Sequence, residues 1–299
     1  MRRISSSLPD DADSDRHTVD SREMSGDDTP HRFVGRYDLG VASSRSFPPE
    51  VVYGIDIGAT NIKYCHVGAD GTLLEPLRRR VTMYPCTPER LVTTLLGRIR
   101  RCGTTRVGVG FPGEFADGHV VRPGNLSRPG GPGTPVDPDL DRRWRGFDLQ
   151  GTLRAQTERD VRVVNDATMA AIGASVGHGV ELVFTLGTGF GLAKLDGGQP
   201  VRVRDVGQEV FVDGRTYDQA LGEQSRAQDE ETWRQLIGRA LAGFIAEFGA
   251  DLVHLAGGNA RRVTSEMFAA LPCPVIVNGN ESSMTGAARL FYPLAPPHS

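Results

Sequence analysis

The segment Gly54-Ile55-Asp56-Ile57-Gly58-Ala59-Thr60-Asn61-Ile62-Lys63 is an apolar run that ends in an aspartate, turns through small residues and resumes as a second apolar run. A strand that carries Asp56 to its tip, beside the bare N–H groups of Gly58, Ala59, Thr60 and Asn61, suits Mg²⁺ and phosphate. The carboxylate offers a hard oxygen ligand, and small residues let an anion approach the backbone. Taken alone, the same residues equally describe a hairpin with a capping aspartate. Related turns recur at Asn165-Asp166, Gly187-Thr188-Gly189 and Gly257-Gly258. Four such turns in this order point to nucleotide-dependent phosphoryl transfer, a reaction in which a protein mostly positions groups and balances charge.

Each later turn has a competing reading. Gly187-Thr188-Gly189-Phe190-Gly191 looks like a dinucleotide fingerprint, but that fingerprint must open a helix. Leu192–Leu195 and the Asp-Gly hairpin behind it read as extended, so a strand–turn–strand phosphate loop is preferred, with the Thr188 hydroxyl as a further donor. Asp166 follows an apolar run and opens a helix beside Asn165. There it can orient an attacking hydroxyl and take its proton, assistance typically worth ~10²–10⁴ in rate. The alternative for Asp166 is a helix N-cap. Gly257-Gly258-Asn259 allows close approach of a flat ligand such as adenine, or is an ordinary tight turn. His254, on the strand before it, reads as a core histidine.

The elements that must hold these residues follow from hydrophobic periodicity. Val51–Ile57 and Ile62–Val67 read as strands, and Asp70-Gly71 turns the chain into a third strand over Thr72–Val81. Thr87 and Pro88 open a helix with Leu91, Val92, Leu95, Leu96 and Ile99 on one face. Arg106–Phe111 is the next strand, and Gly124–Arg145 is rich enough in Gly, Pro and Asp to read as loop. Val161–Val164 begins a second series: a helix with Ala170, Ala171 and Ala174, strands at Leu182–Leu186 and Leu192–Leu195, a hairpin at Asp196, and a strand at Val201–Val203. A long amphipathic helix runs from about Asp229 to Phe248 and stops at Gly249. A strand at Asp251–Ala256, a helix from about Asn259, a strand at Val275–Val277 and a helix from Ser282 follow. The second series repeats the order of the first. That predicts a duplicated α/β fold of two lobes facing a cleft, the actin-like ATPase (ribonuclease H-like) architecture. The expected lobes are 49–123 plus 280–299 and 124–279.

Composition bounds what else the chain can be. Its 299 residues carry a net charge of −3, which argues against a nucleic-acid surface, and Arg78-Arg79-Arg80 reads as a solvated strand end. No apolar stretch approaches the roughly 20 residues that span a bilayer. The four cysteines are scattered without a Cys-x-x-Cys pair, as in a reduced cytoplasmic protein. Residues 1–48 have few regularly spaced apolar residues, and the expectation is a disordered tail without a signal peptide.

Taken as a set, Asp56–Lys63, Gly110-Phe111-Pro112-Gly113, Asn165-Asp166, Leu186–Gly191 and Ala256-Gly257-Gly258 resemble the ROK family (repressors, open reading frames and kinases) of actin-like sugar kinases. The resemblance covers about residues 51–292 and is closest to zinc-free bacterial glucokinases, including those that use polyphosphate. It implies ATP and Mg²⁺ as cofactors, polyphosphate as another donor, and transfer to the exocyclic primary hydroxyl of a hexose. On that pattern Asp166 is the base. Asp56 holds Mg²⁺, while Gly58, Ala59, Thr60, Asn61, Lys63, Gly187, Thr188, Gly189, Gly257 and Gly258 serve the nucleotide. Asn125 matches the asparagine that holds sugar hydroxyls, and Asn165 stands at the same end of the site.

Two departures from the family pattern stand out, a mild one and one that bears on the acceptor. Ala59 replaces a second glycine. Asp205-Val206-Gly207-Gln208 stands where hexokinases of the family have Glu-x-Gly-His, whose acid and imidazole grip hydroxyls at the anomeric end of the ring. Asp205 is one methylene shorter, and Gln208 is a neutral amide that both donates and accepts. Buried polar groups discriminate strongly when a partner hydroxyl is missing or moved. The expected acceptor is therefore a C7-cyclitol, which keeps the hydroxymethyl group but has carbon in place of the anomeric centre and ring oxygen; a hexose is the alternative. Residues 209–232 contain neither Cys nor His, so no zinc site is expected. A repressor would need an N-terminal helix-turn-helix, for which residues 1–50 lack the periodicity, and a silent sugar-binding protein would have no use for Asp166. Similar proteins are commonly homodimers.

Overall fold

The computed structural model describes residues 46–269, 271–279 and 281–294, all within one compact unit of the chain, 38–299. The tail expectation for residues 1–48, and the helix-turn-helix question with it, fall almost wholly outside the described residues. No helix among the described residues is long and apolar enough to cross a membrane.

The chain opens with β1 (Val52–Ile57) and β2 (Asn61–Val67), an antiparallel pair in which Asp56 faces Lys63. Every residue of β1 is buried, as expected of a central strand covered on both faces. β3 (Arg78–Val81) is shorter than the expected strand over Thr72–Val81. Only a single bridge, Val67 to Leu73, survives from the earlier part, and Pro76 cannot donate to a ladder there. α1 (Pro88–Ile99) begins as expected: the Thr87 hydroxyl accepts from Arg90 N–H, and Leu91, Val92, Leu95, Leu96 and Ile99 are buried. After β4 (Arg106–Phe111) comes a hairpin of β5 (Glu114–Ala116) and β6 (His119–Arg122).

The stretch read as loop over Gly124–Arg145 is partly helical. It holds a 3₁₀ turn at Gly124–Ser127 and α2 (Pro138–Trp144), whose N-cap Asp137 accepts from Asp139 and Leu140 N–H. Asp137-Pro138 is an N-cap followed by proline at N1, a start signal outweighed by the density of Gly and Pro before it. α3 (Leu149–Thr157), β7 (Asp160–Asn165) and α4 (Asp166–Ala174) follow. β7 pairs in parallel with β4, giving a five-stranded sheet of order β3-β2-β1-β4-β7. Residues 160–165 thus belong to the first sheet, and the change of sheet falls after Asn165, not at the expected residue 124.

The second sheet takes β8 (Val180–Leu186), β9 (Phe190–Asp196) and β10 (Gln199–Val201). A small ribbon of β11 (Val210–Val212) and β12 (Arg215–Thr216) leads into α5 (Tyr217–Leu221), α6 (Glu223–Gln228) and α7 (Glu230–Phe248). α7 buries Trp233, Ile237, Ala240, Leu241, Phe244 and Ile245 and ends on Gly249 at φ +64°. β13 (Leu252–Ala256) and β14 (Val275–Val277) complete a sheet of order β10-β9-β8-β13-β14, and α8 (Ser282–Arg289) closes the chain. The helix expected from Asn259 is reduced to two 3₁₀ turns, Ala260–Arg262 and Ser265–Phe268.

Both sheets have the same design: an antiparallel meander of three strands, then two strands added in parallel on the other side. The duplication expected from element order is therefore real. α4 joins the halves. Its Ala167 and Ala171 pack with Val183, Ala193 and Leu195 of the second sheet, while Met169 packs with Val52, Met284 and Ala287 on the first. α8 crosses α4 at backbone contact, since a Cβ on Gly173 would lie 1.7 Å from Ser282 O and one on Gly286 1.8 Å from Met169 O.

Candidate active site

The parallel strands β1, β4 and β7 end at the same level, with Asp56 beside Gly110 and Gly110 beside Val164. A Cβ on Gly110 would stand 3.4 Å from Asp56 Oδ1, 3.2 Å from Asp166 Cα and 2.6 Å from Met169 Cε. The glycine therefore lets the two carboxylates flank one strand tip. Asp56 is buried, and its Oδ2 accepts from Lys63 Nζ at 3.2 Å and from Ser283 Oγ at 3.1 Å. Lys63, expected at the nucleotide, faces this carboxylate across the β1–β2 pair.

Asp166 is the first residue of α4, and Asn165 is the N-cap. Asn165 Oδ1 accepts from Thr168 N–H, and its Nδ2 donates to Gly113 O at 2.8 Å and to Asp166 Oδ1 at 3.1 Å. Capping therefore falls to Asn165, which leaves Asp166 free of that duty. Its carboxyl is densely surrounded by protein, and burial first, then the charge of Asp56, pushes it up to about 7. The Ala167 N–H, at 2.8 Å from Oδ1, and Lys63 work against that rise.

The Gly58–Asn61 turn is braced from behind. Gly58 N–H donates to Asn61 O, Thr82 Oγ1 to Gly58 O at 2.7 Å, and the Tyr84 hydroxyl to Ala59 O at 2.7 Å. With the carbonyls occupied, the N–H groups of Ala59 and Thr60 have no backbone acceptor among the described residues. The second turn meets the first: Thr60 Oγ1 and Thr188 Oγ1 are 3.1 Å apart, hydroxyls separated by 128 residues. Gly257, at φ +91°, is pressed so close to Leu186 that a Cβ would lie 2.4 Å from its carbonyl. Asn259 N–H donates to the same carbonyl, and its side chain donates to Glu223 Oε2 at 2.8 Å. Side chains added at Gly187 or Gly258 would meet open space. The turns at Gly58–Asn61, Gly187–Gly189 and Gly257-Gly258 thus form one surface with accessible backbone.

The expected acceptor residues fall in two groups. Asn125 stands in the 3₁₀ turn after Gly124, which sits at φ +55° against Pro112 O. Its side-chain amide forms no hydrogen bond among the described residues, and Gly113 links this turn to Asn165. Asp205 and Gln208 line an open cleft of about 620 Å³ together with Glu114, Arg122, Arg202 and Arg204. Arg202 reaches Glu114 at 2.9 Å, joining the β5–β6 hairpin to the segment after β10. Asn125 and Asp166 do not line this cleft.

Asp218, which no motif singled out, ties the Gly187–Gly189 turn to Gly207 and Gln208. Its Oδ1 accepts from Phe190 N–H at 2.8 Å, its Oδ2 from Gln208 Nε2 at 2.7 Å, and its own N–H donates to Gly207 O. Cβ atoms on Gly189 and Gly207 would lie 2.5 and 2.9 Å from that carboxylate. Burial and then Asp205 raise its affinity for a proton, against the Phe190 N–H. The glycines at 189 and 207 were the only trace of it in the sequence. Ser283, on α8, was equally invisible. His254 is a core residue, fully buried with Nε2 at 2.7 Å from Glu181. Glu181 also accepts from Ser175 Oγ and Val176 N–H; it is held ionised, and burial keeps the imidazole neutral.

A model of the ROK family matches residues 52–205. Among solved structures, the chain is similar to an inorganic polyphosphate/ATP-glucomannokinase from Arthrobacter sp. strain KM. That likeness has 28% identity and a TM-score of 0.66, and covers 80% of this chain and 96% of the other. A ROK family glucokinase from Streptomyces griseus, in complex with glucose and AMPPNP, gives 19% identity and TM-score 0.61, covering 80% and 98%. The ROK hexokinase from Thermus thermophilus gives 20% and 0.54, covering 80% and 96%. A search of curated proteins finds no match. With one family model over half its length, the chain belongs to the ROK family, and it shares the two-lobed architecture of these kinases.

Proposed function

We propose that the chain transfers the terminal phosphoryl group of ATP to the exocyclic primary hydroxyl of a sugar-like ring, with Asp166 as general base. The observation that carries this is the Asp166 carboxyl, raised to about 7 and set beside Asp56 at the strand tips. A base of that affinity is half ionised near neutrality and can take a hydroxyl proton as the oxygen attacks. The Ala59 and Thr60 N–H groups and the two threonine hydroxyls are the donors available to phosphate oxygens.

Mg²⁺ fits this donor set. It is commonly held by one or two carboxylates plus phosphate oxygens, and Asp56 Oδ1 faces the site while Oδ2 is anchored by Lys63 and Ser283. When bound it would neutralise charge on the triphosphate. Polyphosphate is a second donor reading, supported by the similarity at 28% identity to a kinase named for both donors.

For the acceptor, Gln208 spends its donor nitrogen on Asp218 and leaves its oxygen as an acceptor in a cleft that also holds Asp205. A neutral acceptor in place of an imidazole supports a C7-cyclitol; a hexose is the alternative, favoured by relatives named for glucose and mannose. The test is to incubate the protein with ATP, Mg²⁺ and each of glucose, mannose, N-acetylated hexoses and C7-cyclitols, and weigh the products. Cyclitol phosphate should dominate, and glucose turnover as good as that of any cyclitol overturns the assignment. In the same assay Asp166→Asn should bind ATP normally yet lose ~10²–10⁴ in kcat; full activity would remove Asp166 from its role.

A further inference from the structure

We infer that the groove between α1 and the β3 edge is a binding site for linear inorganic polyphosphate, an extension of the donor site along the outside of the first lobe. This rests on the polyphosphate reading of the donor given above. The groove encloses about 580 Å³, and its lining includes Arg80, Arg90, Arg98 and Arg101 together with Met83 and Glu89. Among the described residues none of these four guanidinium groups has a carboxylate within ion-pair distance. The one lining acid, Glu89, is engaged by Arg143 at 2.7 Å. In a chain of net charge −3, four unneutralised arginines in one groove are a local reversal of sign.

Two of the four are held in place without being neutralised. Arg98 lies over the Tyr64 ring, 4.5 Å from its centroid, and Arg90 donates to the carbonyls of Tyr84 and Pro85 at 3.3 and 3.2 Å. Pre-set guanidinium forks are suited to phosphate oxygens. The groove also starts at the back of the phosphate turn. Thr82 and Tyr84, beside Met83, are the residues whose hydroxyls hold Gly58 O and Ala59 O. From there α1 carries the charges away: Arg90 to Arg98 alone spans about 12 Å at the helical rise. Single-stranded nucleic acid fits less well, because no aromatic side chain lines the groove for bases to stack on. A chain of phosphates needs only the cations. Each turnover would break the terminal P–O bond of the chain, form a P–O bond to the acceptor oxygen and pass the hydroxyl proton to Asp166, leaving the polymer one phosphate shorter.

The test uses the full chain and its Arg80→Glu/Arg101→Glu variant. Both side chains are exposed, and neither makes a hydrogen bond shorter than the 3.8 Å contact of Arg80 with Met83 Sδ. Affinities for long-chain polyphosphate and tripolyphosphate are measured by calorimetry at several salt concentrations, with ATP kinetics and thermal midpoint as controls. Long-chain affinity should fall about tenfold or more in the variant, with a shallower salt dependence, because fewer counterions are released. Tripolyphosphate and ATP should move less than about twofold on the same reasoning. Unchanged long-chain affinity overturns the site, as does no binding, or an equal loss for a single-stranded DNA oligomer. The two readings separate cleanly. Polyphosphate that binds in the groove but is never consumed leaves the site and sinks the donor reading; polyphosphate consumed equally by both proteins does the reverse.

Discussion

Asp166 stands where two opposing influences meet, since burial and the neighbouring Asp56 raise its proton affinity while Lys63 and the Ala167 N–H lower it. The balance near 7 sets a pH dependence. A general base acts when ionised, so kcat/KM should climb as pH rises through about 7 and then level off. Substituting Lys63→Met removes a cation that favours the carboxylate, so the midpoint should move upward; a pH–rate profile of both proteins checks this, and an unchanged midpoint would place the titration elsewhere. The same shift carries a cost in stability. An acid whose folded-state affinity is raised binds more protons folded than unfolded, so its contribution declines as pH rises from the ordinary aspartate range to about 7. Asp218 shows a related pattern: a half-buried carboxylate kept in place by a backbone N–H and an amide rather than by an ion pair.

At the level of elements, α4 and α8 cross at backbone contact. α8 delivers Ser283 to Asp56, and α4 delivers Asp166, so the spacing of these helices fixes where the Ser283 hydroxyl meets Asp56 relative to Asp166. The helices touch through Gly173 and Gly286, where any Cβ would overlap a backbone atom. Gly173→Val should therefore push the helices apart. Overpacking of this kind typically costs 1–3 kcal/mol, and with backbone as the neighbour the upper end, about 3 kcal/mol, is expected. Denaturant melts would read the loss of stability, and single-turnover kinetics would read a fall in the chemical step larger than any fall in ATP affinity. Arg289, donating to the carbonyls of Ile172, Gly173 and Ser175, locks the same pair at the C-terminal end of α4.

At the scale of the whole molecule, the two sheets contribute unlike parts to the candidate site. The first supplies Asp56, Asp166 and the Gly58–Asn61 turn; the second supplies the Gly187–Gly189 turn, Gly257-Gly258 and the Asp205–Asp218 cluster. Beside the apolar packing of α4 on both sheets, polar contacts cross the divide, Thr60 to Thr188 and Arg202 to Glu114 among them. A ligand that touches both halves should stabilise both together. At a nucleotide concentration about 100 times Kd the gain should approach ~2.7 kcal/mol, visible as a raised melting midpoint, with hydrogen exchange slowed at β1 and at β8 alike. Slowing in one sheet alone would mean that the nucleotide engages a single lobe.

Much of this was legible in the residue order. Asp56 and its turn, the Thr87–Pro88 start of α1, the long α7 with its Gly249 stop, and the strand–turn–strand around Gly187–Gly189 are local devices. Their signals are a cap, a period or a tight turn within about ten residues, and the repetition of their order announced two matching sheets. Decisions made between distant segments were not legible. That β7 joins the first sheet, that Arg80 shares a groove with Arg90, Arg98 and Arg101, and that Asp218 closes on Gly189 and Gln208 all depend on strand pairing and close backbone approach. Glycines at 110, 173, 189 and 207 do not reveal in one dimension which atoms they make room for, since those atoms belong to other elements. Local geometry is written in neighbouring residues, whereas the meeting of carboxylate with carboxylate across Gly110 exists only once the chain has packed.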